Sequence, residues 1–168
     1  MDNNNRQPVY DVASYDIVTN ALVDLLNQYP MLDNETITFG DVSADYGKAM
    51  FPSSGAIVVS EIRDILGNRE QTCNYPFVVL YRAGAMTATN KISAKEWLDQ
   101  LGRWLEKQPI TVDGETYQIA EYPTLSENRK FTQISRTTPA TLNDILTNNV
   151  EEWAISITAQ YRNKIYRF

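Results

Sequence analysis

The chain has 168 residues, 43% of them hydrophobic, and its 21 acidic against 15 basic side chains give a net charge of −6. That length accommodates one domain with a substantial core, without help from a metal or a disulfide. With no histidine and a single cysteine, Cys73, the sequence excludes His-based catalysis, an intrachain disulfide, a CxxC pair and a cysteine-built metal site.

The first ten residues are polar and predict a disordered lead. Ile17, Val18, Ala21, Leu22, Leu25, Leu26 and Tyr29 then trace one face of a helix, with Asp11 or Ser14 as its N-cap and Pro30 as its stop. Residues 35–39 alternate and end at Gly40, predicting a short strand. Residues 41–55, with Gly47, Pro52, Ser53, Ser54 and Gly55, read as a loop that carries Met50 and Phe51. Residues 56–66 and 70–82, divided by Gly67 and Asn68, predict a long hairpin. Its second arm is apolar on both faces, and Pro76 within it predicts an edge or a bulge.

After Asn90, Ser93 and Glu96 have capping-box spacing, and Ile92 and Trp97 stand at the two staple positions. Trp97, Leu98, Leu101, Trp104 and Leu105 form a single stripe that ends at Pro109, so this helix packs on a sheet face. Asp113-Gly114 predicts a tight hairpin between 110–112 and 116–119. Residues 123–149 form a polar, loop-rich stretch, with a strand expected at 131–136 and a short helix starting near Thr138-Pro139. From Trp153 to Arg162, strict alternation predicts a half-buried antiparallel strand. The order gives a single α+β domain over 1–168, with a mainly antiparallel β-sheet, a long β-hairpin and two amphipathic helices packed on one face. The other face, or the hairpin, is left for a partner.

No chemical template is complete. Gly47-Lys48 lacks the earlier glycine and the following hydroxyl of a phosphate loop, and no GxGxxG, GxSxG or SxxK occurs. Glu151 and Glu152 are adjacent, so as strand residues they point to opposite faces and read as a solvated strand start. Cys73 has no histidine to activate it and reads as a small buried residue. These absences predict no enzyme, no cofactor and no metal. The acidic balance and the scattered lysines and arginines have the wrong sign for nucleic-acid binding, and no apolar run approaches the roughly 20 residues that span a membrane. The polar N-terminal residues lack the apolar core of a signal peptide, giving the cytoplasm as the expected compartment. Arg129, Lys130 and Arg136 form the locally basic stretch, read as a contact for an acidic surface on a neighbouring copy or as a solvated loop.

Several features in sequence carry a resemblance. They are the first helix closing on Tyr29-Pro30, Met50-Phe51-Pro52 ahead of a strand, the run from Glu61 to Asn68 leading into Tyr75-Pro76-Phe77, the helix bearing Trp97, Leu101, Gly102, Trp104 and Leu105, and the strand Ile155 to Tyr161. In this order and texture the chain resembles the tail terminator, or tail completion, proteins of long-tailed bacteriophages; residues 123–149 match least. The resemblance implies an α+β subunit of a hexameric ring on the head-proximal end of the tail. Its partners would be itself, the tail tube protein and the head connector or stopper protein, with DNA only passing through the lumen. A closed ring needs two different patches on each subunit. Met50 and Phe51, and Arg129, Lys130 and Phe131, are the expected subunit-interface residues. A head-completion or stopper protein of the same neck region is the alternative reading, and a small carboxylate-dependent enzyme a more distant one.

Overall fold

A computed structural model describes residues 7–84, 88–126 and 128–167, the side chains of 88–92 excepted. In chain order the helices are α1 (Tyr15–Leu26) and α2 (Ala88–Leu105). The strands are β1 (Ile37–Phe39), β2 (Gly47–Pro52), β3 (Ile57–Arg63), β4 (Arg69–Ala83), β5 (Ile110–Val112), β6 (Glu115–Tyr117), β7 (Arg129–Arg136), β8 (Thr141–Ile145) and β9 (Glu151–Ile165). The fold is α+β, as the sequence predicts.

Two long antiparallel strands, β4 and β9, pair from Arg69↔Ile165 to Ala83↔Glu151 and form the spine of the main sheet. Each is flanked by two shorter strands laid end to end. On one side β3 covers the first half of β4 and β2 the second half, with β1 added parallel to β2; on the other side β7 and β8 divide β9 between them. Pro76 therefore sits inside the sheet, paired with Thr158, and not at an edge. It is tolerated because its carbonyl, and so its donor-less nitrogen, faces the gap between β2 and β3, where the Ser53 N–H donates to the Pro76 oxygen at 2.9 Å.

Strand alternation sends Cys73, Tyr75, Phe77 and Val79 of β4 and Ile155, Ile157, Ala159 and Tyr161 of β9 into one buried layer. Both helices pack there. Thr19 of α1 hydrogen-bonds the Tyr75 hydroxyl at 2.8 Å, while Trp97 of α2 meets the Tyr81 ring edge-on with centroids 5.5 Å apart. Tyr29 joins the two helices: its ring lies 5.0 Å from that of Trp97 and its hydroxyl donates to the Trp97 carbonyl at 2.9 Å. The side chain of Asn27 then ties the end of α1 to β1, donating to the Ile37 carbonyl and accepting from the Ile37 N–H. Gly102 lets α2 approach β7, because a Cβ there would collide with the stem of Arg136, whose guanidinium is held by Glu106 at 2.8 Å.

Four expectations are corrected. The stretch 41–55 contains a strand, β2, whose Met50 is fully buried; the surrounding glycines and serines hide its short pattern. Helix α2 begins at Ala88, so Ser93 lies inside it and does not cap it; no glycine or proline in 88–92 stops the helix from propagating backwards, and the Ile92 staple lies outside the described residues. No helix forms near Thr138-Pro139. Asp99 accepts the Ala140 N–H at 2.9 Å and the chain continues extended into β8. Finally, within the expected disordered lead, Val9 to Asp11 are pinned to the start of β3 by Val58 N–H to Val9 O and Asp11 N–H to Ala56 O, both 2.8 Å. The Asp113-Gly114 turn joins β5 to β6 as expected, with φ of 50° and 82°.

Candidate functional site

Among the described residues, three of the polar clusters inside or beside the core bear on a site, and each is satisfied within the chain. In the first, Asp11 accepts from Arg129 at 3.0 and 3.1 Å and from the Tyr161 hydroxyl at 2.8 Å. Burial alone raises the Asp11 carboxyl, but the hydrogen bonds from Arg129 and Tyr161, with the charge of Arg129, outweigh it and leave the pKa below its ordinary value. The Ser14 hydroxyl donates to the Asp11 carbonyl at 2.8 Å, so it does not cap α1. This cluster fastens the N-terminal segment to β7 and β9 across a buried ion pair. Nearby Cys73 is fully buried, and desolvation pushes its thiol up to about 11, which removes the thiolate a nucleophile needs.

In the second cluster Lys48, only 5% exposed, pairs with Glu35 while its ammonium sits 4.4 Å from the Tyr81 ring and 5.2 Å from those of Tyr46 and Trp97. The aromatic faces replace the water that the lysine loses. In the third, Glu152 accepts from Arg82 and from Asn143, each at 2.6 Å. Glu151 and Glu152 are both buried and do not form a solvated strand start. A long-range cation, Arg82 on β4, is what allows Glu152 inside.

The five expected interface residues divide. Met50 and Phe131 belong to the core, with Phe131 edge-on against Tyr122 at 6.2 Å. Arg129 is committed to Asp11. Phe51, half-buried opposite Val78 on the sheet face away from the helices, and the exposed Lys130 remain at the surface.

The feature that sequence reasoning missed is the end of the β3–β4 hairpin. Ile62, Ile65 and Leu66 are 69%, 102% and 72% exposed, within four residues of one another in the chain. The sequence places them in the first arm of a hairpin left for a partner, and singles out none of them. They are held by an ordered turn: Asp64 Oδ1 accepts the Leu66 N–H at 2.8 Å and the Asn68 N–H at 2.9 Å, Asp64 N–H donates to Asn68 O, and Gly67 takes a φ of +87°. The hydrogen bonds from Asn68 and from the turn's backbone hold the Asp64 carboxyl below its usual range. Below the tip, Glu61 receives Arg63 and Gln71 at 2.9 Å and Arg69 at 3.6 Å, stiffening the arms. The hairpin therefore presents a preformed apolar knob with a charged collar.

Among the described residues no three His, Cys, Asp or Glu side chains come together as a metal site, and no helix is long and apolar enough to cross a membrane. No family model and no curated protein matches the chain.

Proposed function

We propose that this protein is a structural assembly subunit that works by self-association, and that it acts as a ring capping the tail tube of a long-tailed phage and joining it to the head connector. One observation carries the assembly reading: a rigid turn that holds Ile62, Ile65 and Leu66 in water. An ordered apolar knob has no use within its own chain and fits a protein contact. The specific role rests on the resemblance in element order and residue texture. In that role the ring sits at the head-proximal end of the tail, and the net charge of −6 keeps transiting DNA from adhering to the lumen.

The test is the mass of the purified protein by light scattering across a wide concentration range, followed by capture on tail tubes and on head connectors. The reading predicts a discrete closed oligomer, a hexamer, that binds tubes. A monomer at every concentration that also fails to bind tubes overturns it. Capture by the connector alone moves the assignment to a head-completion or stopper protein.

A further inference from the structure

The hairpin tip has a counterpart elsewhere on the same chain. Val9, Tyr10, Val12 and Tyr15 are also exposed, Val12 to 80%, and border a cleft of about 350 Å³ lined by Tyr10, Val12, Tyr15, Gly55 and Ala56 together with Asp11. Gly55 keeps the cleft open: a Cβ there would stand 3.2 Å from the Tyr10 ring. Asp11, the charged member of the lining, is already neutralised by Arg129 and hydrogen-bonded to Tyr161, so an aliphatic guest meets no unsatisfied charge. The volume suits one or two branched aliphatic side chains.

We infer that the β3–β4 hairpin tip of one copy inserts Ile65 and Leu66 into this N-terminal cleft of the next copy. The inference rests on the assembly reading above and names its contact. A tip cannot fill its own cleft. The cleft abuts the Ile57 end of β3 and the tip follows Arg63, and a strand of that length holds them about 20 Å apart. Area is compatible with the same pairing: each patch exposes on the order of 450 Å², within the range of the largest apolar patches on monomer surfaces. Apposed, they bury at most about 900 Å², the size of a weak pairwise contact. Because knob and cleft are different surfaces, the contact is heterologous. Every added copy leaves one knob and one cleft free until a ring closes.

Two single-substitution proteins, L66C and V12C, each carrying a distinguishable tag, are mixed and oxidised; native Cys73 is fully buried and does not compete. The expected product is the mixed disulfide between positions 66 and 12, in excess of either symmetric product, with the oligomeric mass retained. A discrete oligomer that yields no mixed disulfide overturns this inference and leaves the ring reading standing, as does a dominant 66-to-66 product, which marks a symmetric contact. Monomers without cross-links overturn this inference, and the ring reading falls with it only where the protein also fails to bind tail tubes. As a second variant, I65D should raise the concentration needed for assembly about tenfold or more, while melting like wild type at dilutions where both are dissociated. Assembly of I65D at wild-type concentrations overturns the inference.

Discussion

Strand β4 passes through two environments, and the contrast separates what folds this protein from what it offers to others. From Cys73 to Val79 every second residue is fully buried beneath α1 and α2. Where β4 begins, beyond the reach of the helices, its partner β3 has an exposed outer half and the turn between them carries isoleucine and leucine into solvent. The chemistry is similar in both places. What differs is whether the chain supplies its own cover, so an identical substitution should have opposite consequences at the two sites.

The sharpest form of that comparison is alanine at Phe77 against alanine at Ile65. Phe77→Ala should cost about 3–5 kcal/mol in urea unfolding, through lost burial and a cavity. Ile65→Ala should stay within about 0.5 kcal/mol, because the side chain touches nothing in its own chain. Equal losses at both would mean that the tip is covered in the folded monomer.

The next effect concerns the lock that builds the cleft. Asp11→Asn should cost about 2–4 kcal/mol by leaving Arg129 without its counter-charge. Since the folded state lowers the Asp11 pKa, its contribution is present above the ordinary carboxylate range and is lost as pH falls through the lowered value. Wild-type stability should therefore drop below about pH 4, and part of that slope should vanish in Asp11→Asn. Thermal melts at pH 3 and pH 7 read both effects. A smaller loss than at Asp11 falls at the turn: Gly67→Ala places a side chain at φ +87°, 2.9 Å from Arg167 Cδ, and should cost about 1 kcal/mol. If the turn matters to assembly, its effect on oligomer mass should exceed its effect on melting.

Local periodicity made the buried half of this comparison legible. The stripe of Trp97, Leu101 and Trp104, the alternation through β9 and the Asp113-Gly114 turn each reflect contacts set by neighbours along the chain. The misread parts depend on distant partners. Burial of Glu152 follows from Arg82, 70 residues away, and ordering of the N-terminal segment follows from Arg129, 118 residues from Asp11. Lys48 is buried only because Tyr46, Tyr81 and Trp97 converge on it. Met50, expected in a loop, lies in a strand that turns it inward, and Phe131, in the strand expected at 131–136, also faces the core. The knob escaped notice because an exposed isoleucine and a buried one have the same letter.

The most direct test of the central claim is a comparison of wild type and Ile65→Asp by size exclusion with light scattering, alongside their melting temperatures. The account predicts a discrete oligomer for wild type, and a monomer for Ile65→Asp that melts at the temperature of dissociated wild type. Identical masses for the two proteins would contradict it.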